Sequence, residues 1–258
     1  MNKKNILQLA LASILAVSLL SGCSSAPKES TTTAKKYTIS TDATYAPFEY
    51  EKDGKYVGID MDILAAIAKS EGFEYELKPM NFKGIIPALT ANQIDAAIAG
   101  ISITDARKKV VDFSEGYYES GLSAVVSEKN TTIKSIADLN GKIFAVKKGT
   151  SGSTFAETNQ DKYKGTIKYF DDTPAMFQEV INGNADVTFE DYPVVAYRIS
   201  MDAKSGLRIA GEKINKDNYG FAVKKGQNAE LLTKFNAGLK KIKANGEYDK
   251  IIAKYIKK

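Results

Sequence analysis

An α/β protein of two similar lobes is the fold class this sequence predicts, on three observations. Strand-like and helix-like periodicities alternate along the chain, the pattern that packs helices against a largely parallel sheet. Ala88 to Gly100 (ALTANQIDAAIAG) and Glu179 to Asp191 (EVINGNADVTFED) align without gaps, each placing an aspartate, Asp95 or Asp186, at the mouth of a strand. Polar residues also gather where the strands should end, the edge at which such sheets bind ligands.

Taken in order, the chain opens with Lys3 and Lys4 and then a mostly apolar run from Ile6 to Leu20, broken by Gln8, Ser13 and Ser18. A basic start and an apolar stretch too short to cross a ~30 Å hydrocarbon core comfortably read as an export signal. It ends in Leu20-Ser21-Gly22-Cys23, which resembles the bacterial lipobox, and Cys23 is the one cysteine of the chain. That resemblance implies cleavage before Cys23 and lipid on its sulfur and new N-terminus. Residues 1–22 are then a signal peptide, and residues 23–36, rich in Ser and Thr, form a flexible tether with little to bury. Removing the first 22 of 258 residues leaves 236, enough for one large domain or two lobes.

Tyr37, Ile39 and Thr41 mark a first strand. Asp53-Gly54 between Phe48-Glu49-Tyr50 and Tyr56-Val57 predicts a hairpin whose tight turn needs φ > 0. Asp60 is placed to cap a helix with the apolar stripe Met61, Leu64, Ala65 and Ile67, stopped by Gly72. Phe73, Tyr75 and Leu77 alternate as a strand, and Ile94 to Ala99 is apolar on both parities, as a strand buried on both faces should be. The hexapeptide FAVKKG, at 144–149 and again at 221–226, reads as two strands entering polar turns.

Composition narrows the chemistry. The chain has no histidine, which excludes a Ser-His-Asp triad and a His/Cys zinc site; Cys23 as an anchor excludes a cysteine nucleophile. A carboxylate-based enzyme stays open. No cofactor is expected. The formal charge is +5, and without Lys3 and Lys4 34 basic residues face 31 acidic ones in scattered order, so nucleic acid is not an expected partner. Beyond the signal no apolar run reaches a membrane-spanning length, leaving the lipid as the expected membrane contact.

Four strand-end segments carry the candidate pocket: Asp42 to Phe48, Ala99 to Arg107, Lys147 to Ser153, and Phe189 to Pro193. Thr104 can cap a helix, and Arg107 in its first turn opposes the helix dipole unless an anion compensates; its planar fork suits a carboxylate. The helix start near Ser151 offers free amides to an anion, though the glycine spacing of a phosphate loop is absent. Asp191 stands either as a helix cap or as a ligand for a cation. Together the parts suit an α-amino acid: Arg107 and amides for its carboxylate, Asp191 for its ammonium, aromatic walls against water. A ligand charged at both ends needs both signs, or a buried charge stays unpaired.

The stretches YVGIDMDILAAIAK, YELKPMNFKGIIPAL, AGISITDARKKVVDFSEGYY and AVKKGTSGS carry a resemblance. From about Lys36 to Ile256 the chain resembles family 3 solute-binding proteins of polar amino-acid ABC transporters, most of all the glutamine binders. The resemblance implies a periplasmic-binding-protein-like fold of type II: lobe 1 at 37–116 and 220–258, lobe 2 at 122–214, and hinges near 117–121 and 215–219. It implies ligand contacts from Arg107, Ser102 and the Ser151 amide to the carboxylate, and from Asp191 and the carbonyl of Gly100, next to Ala99, to the ammonium. Tyr45 and Phe82 match the flanking aromatics, Asp42 and Lys147 the pair that reads a side-chain amide. Glu190 stands where a glutamine binder carries histidine. Pointing inward it favours a basic side chain such as arginine; paired with Lys147 it leaves an amide reader. The expected product is a monomeric lipoprotein on the outer face of the cytoplasmic membrane, delivering ligand to permease subunits. A dehydratase with Glu190 as general acid, or a sensor, is the alternative.

Overall fold

The computed structural model describes residues 35–202 and 204–256; Cys23, the export signal and most of the tether lie outside them. The chain folds into two lobes, each around a five-stranded sheet. In the first sheet the order is Glu74–Pro79, Lys36–Thr41, Ala96–Ala97, Ala222–Lys224, Val111–Phe113; the first three run parallel and Ala222–Lys224 is antiparallel to both neighbours. The second repeats the arrangement: Thr166–Phe170, Ile143–Lys147, Val187–Asp191, Leu122–Ser127, Leu207–Ala210, with Leu122–Ser127 antiparallel to its neighbours.

The internal repeat has a structural counterpart. Asp95 donates its N–H to the Thr38 carbonyl and accepts the Thr38 N–H on Oδ2, both at 2.9 Å. Asp186 does the same with Ile143, at 2.9 and 2.7 Å. Each aspartate thus pins the third parallel strand of its sheet, in that order, to the middle one. The two FAVKKG copies differ: one runs through the parallel strand Ile143–Lys147, the other through the antiparallel Ala222–Lys224.

The hairpin forms between Glu49–Lys52 and Lys55–Val57, with φ of 51° at Asp53 and 72° at Gly54. Ile59–Glu71 is helical and Gly72 ends it in the left-handed region, donating to Ala68. Two expectations there need correction. Asp60 does not cap: the cap position is Gly58, while the Asp60 carboxylate turns inward to accept the Gly100 N–H at 2.8 Å and the Tyr117 hydroxyl at 2.7 Å. Ala65 is exposed; Ile63 and Ala68 take the buried stripe with Met61, Leu64 and Ile67.

The chain passes between the sheets twice, through Tyr118–Ser120 and Asp217–Tyr219, which pair as an antiparallel ribbon. Phe48 packs edge-on against Tyr118 and Tyr219, centroids 4.9 Å from each, so the ribbon is seated on the first lobe's core. Among the described residues no helix is long and apolar enough to cross a membrane.

Candidate functional site

The parallel strands of both sheets deliver their carboxyl ends to the space between the lobes. On the second lobe, Val187–Asp191 is buried throughout and ends at the helix Tyr192–Met201. Asp191 occupies the cap position but makes no side-chain capping bond. Its Oδ2 accepts instead from the hydroxyls of Tyr219 at 2.7 Å and Tyr45 at 2.8 Å, while Oδ1 is buried with no partner among the described residues. Burial raises the Asp191 pKa; the two tyrosines and Arg107 work against that rise.

Arg107 comes from the four-residue helix Asp105–Lys108, whose cap is Thr104, accepting the Arg107 N–H at 3.3 Å. The guanidinium donates to two carbonyls, Ser102 at 2.9 Å and Gly149 at 3.0 Å, the latter across the lobe boundary. No carboxylate lies within ion-pair distance of it among the described residues. Desolvation lowers its pKa, and Asp191 and Asp217 oppose the shift. A partly buried cation held only by carbonyls keeps its attraction for an anion. Beside it Thr150 caps the helix Ser151–Tyr163 through the Ser153 N–H at 3.2 Å, and Ser151 Oγ is buried without a partner among the described residues.

The opposite end of the cleft holds a buried ion pair across the lobes, Lys147 with Asp42. Lys147 Nζ lies 3.3 Å from Thr44 Oγ1 and 3.5 Å from Thr173 Oγ1; Asp42 Oδ1 accepts from the Ala43 N–H at 2.6 Å and from Thr44 at 3.2 Å. Glu190 is buried just behind the cavity wall, and it forms no ion pair with Lys147. Its Oε1 accepts the Asp191 N–H at 2.9 Å and lies 3.0 Å from Tyr45 Oη; Oε2 is 3.5 Å from Thr173. Burial, then the Asp191 charge, pushes its pKa up to about 7.

Two aromatic walls enclose these charges. The Arg107 guanidinium lies 5.4 Å from the Phe82 centroid, and Lys147 Nζ lies 5.2 Å from that of Tyr45 and 5.9 Å from that of Phe82. Gly100, at φ 52°, is required by the Tyr45 ring, because a Cβ there would meet Tyr45 Cε1 at 2.7 Å.

A small cavity remains between the lobes, walled by Tyr45, Phe82, Gly100, Ser102, Arg107, Lys147, Ser151 and Asp191, all singled out from sequence, and by Thr150, which was not. Asp42 and Glu190 stand behind this wall, and Ala99 sits in the first lobe's core rather than on the wall. Sequence reasoning missed Tyr219 and Thr173, and took in Thr44 only as part of the segment Asp42 to Phe48. Nothing in a crossover strand announces where a tyrosine hydroxyl will end up, since Tyr219 reaches Asp191 only once both lobes are in place.

The family model described as bacterial extracellular solute-binding proteins, family 3, matches residues 37–258. Among curated relatives, the chain is 35% identical over 274 aligned positions to the ABC transporter glutamine-binding protein GlnH of Bacillus subtilis (strain 168), covering 98% of each chain. It is 33% identical to the arginine-binding extracellular protein ArtP of the same organism, covering 92% of each. Among solved structures, an ancestral arginine-binding protein is 40% identical, over 86% of this chain and 98% of that one. Its TM-score is 0.80 bound to arginine and 0.79 bound to glutamine.

Proposed function

The chain belongs to family 3 of the bacterial extracellular solute-binding proteins, and from that premise we propose that it captures a polar L-amino acid, glutamine foremost, and presents it to an ABC importer. The observation that carries this reading is the pairing of Arg107 and Asp191 from opposite lobes around one small cavity. Arg107 and the amides at Ser151 offer a carboxylate site, and the unpartnered Asp191 Oδ1 offers an acceptor to an ammonium. A ligand bridging the two lobes stabilises the closed form over the open one, the differential affinity that closure requires. The ribbon Tyr118–Ser120 with Asp217–Tyr219 serves as the hinge.

The Asp42–Lys147 pair reads a side-chain amide, carboxylate to NH₂ and ammonium to carbonyl oxygen. Relatives named for glutamine binding and for arginine binding support the ligand class. A second reading, arginine, is favoured by one observation: Glu190, a buried carboxyl just behind the cavity wall, is not ion-paired with Lys147. The same zwitterion clamp favours a carrier over a dehydratase, since it grips both charged ends of the ligand. Isothermal titration with glutamine, arginine and asparagine tests the reading. Glutamine is expected to bind, and Arg107→Ala to weaken it by at least about 3 kcal/mol, over a hundredfold; no binding by any of the three sinks the proposal.

Cys23 is the proposed lipid anchor, holding the carrier close to its permease at raised effective concentration. Incorporation of labelled palmitate, lost in Cys23→Ser with the protein released from membranes, is the expected result.

A further inference from the structure

Five charged side chains gather around the cavity, Asp42, Arg107, Lys147, Glu190 and Asp191, while Asp217 stands half-buried beside Arg107. Four have a partner on the reading above, Lys147 with Asp42, and Arg107 and Asp191 with the two ends of the ligand. Glu190 is the fifth, and no cation lies within ion-pair distance of it among the described residues. The groups facing it are Tyr45 from the short strand Thr44–Tyr45 of the first lobe, Thr173 from the start of the helix Thr173–Ile181, Asp191 beside it, and Ser123 opposite it in the ladder. Lys147, on the adjacent parallel strand, points to Asp42, and Tyr219 from the ribbon stands 3.3 Å from Tyr45 Oη.

Proton counting in this cluster is informative. Three short O···O contacts join phenols to carboxyls: Tyr45 to Glu190 at 3.0 Å, Tyr45 to Asp191 at 2.8 Å, and Tyr219 to Asp191 at 2.7 Å. The two phenols supply two protons for three contacts. A proton on Glu190 supplies the third: Glu190 then donates to Tyr45, and both tyrosines donate to Asp191. Burial and the Asp191 charge push the same way, outweighing the nearby Lys147 charge and holding the Glu190 acid up to about 7.

Resting on the amino-acid reading, we propose that Glu190 is a proton-adjusted counter-charge: it closes over a neutral side chain as a carboxylic acid and over a cationic side chain as a carboxylate. One cleft thereby takes polar amino acids of either kind, and pH sets the preference between them. The balance is explicit. Closure over a neutral side chain leaves one more proton on Glu190, drawn from solvent, than closure over a cationic one, whose own charge occupies the place of that proton.

The test is titration calorimetry of the wild-type protein with glutamine and with arginine, each in buffers of different ionisation enthalpy, from pH 5 to 8.5. Between the ordinary carboxyl range and about pH 7, protons taken up with glutamine should exceed those with arginine by up to one. The ratio of the two affinities should shift toward arginine by up to about tenfold per pH unit as pH rises. In Glu190→Gln both the excess proton and the pH dependence of the ratio should vanish. Equal proton counts for the two ligands, a pH-independent ratio, or binding of only one ligand at every pH overturns the proposal and leaves the carrier reading standing. Failure of both ligands to bind overturns the carrier reading itself.

Discussion

A single missing methyl group shapes the pocket floor. Gly100 lies against the Tyr45 ring in the left-handed region, and its N–H is held by Asp60. Gly100→Ala must move that ring off Asp191, so ligand affinity is expected to fall at least tenfold in titration while the fold survives. Behind the floor sits a second carboxyl pair. Both oxygens of Glu49 and Oδ1 of Asp60 are buried without a conventional donor among the described residues. A proton on Glu49, bonded to Asp60, resolves this: burial and the Asp60 charge raise the Glu49 pKa, and burial raises that of Asp60 to about 6. Acids raised on folding contribute stability that is full below their unfolded values and is lost as pH rises through the folded ones. The melting temperature is therefore expected to fall from pH 5 to 8, and Glu49→Gln, whose amide still donates to Asp60, to flatten that fall. An equally steep decline in the variant would rule the shared proton out.

Among the elements, the helix Ser151–Tyr163 and the strand Val187–Asp191 place the two lobe-2 ligand groups together. They approach through Gly152, where a Cβ would meet the Phe189 carbonyl oxygen at 2.0 Å. Backbone cannot yield there as a flexible side chain does, so Gly152→Ala should cost about 1–3 kcal/mol on thermal unfolding. Its effect on affinity should exceed that of a surface substitution in the same helix, because Ser151 moves away from Asp191. Asp60 and Asp191 illustrate how far an element can be read locally. Both sit at helix starts, where sequence chemistry offers capping, and both turn inward to tyrosines instead. Capping is decided by neighbours that contribute from more than twenty residues away.

Over the whole molecule, closure is held by bonds of unequal worth. At the rim Lys83 and Asp171 meet across the lobes at 2.7 Å, each close to half exposed, so water and salt weaken the pair. Lys83→Ala is expected to change ligand affinity less than about threefold. Asp42–Lys147 is buried, and Asp42→Asn leaves an uncompensated ammonium in the closed cleft, a loss of about 3–5 kcal/mol. Small-angle scattering with saturating ligand checks this: wild type and Lys83→Ala should contract, Asp42→Asn should not. A contraction equal in all three would show that the buried pair does not govern closure.

Periodicity, turn residues and the aligned segments around Asp95 and Asp186 sufficed for the α/β class, the repeated strand and the strand-end clusters, because these depend on local pattern. Residue type at the strand ends sufficed for singling out Arg107, Asp191 and the helix start at Ser151 as candidates, since opposite charges and free amides declare a chemistry; Tyr45, Phe82 and Lys147 needed the family resemblance. Direction was beyond the sequence. Whether Asp191 caps or faces the cleft, whether Lys147 pairs with Asp42 or Glu190, and whether Tyr219 matters at all are set by contacts spanning up to 174 residues of chain. Only two lobes folded against one ribbon bring those atoms within hydrogen-bond reach, and that proximity, not any local preference, decides which charges cancel.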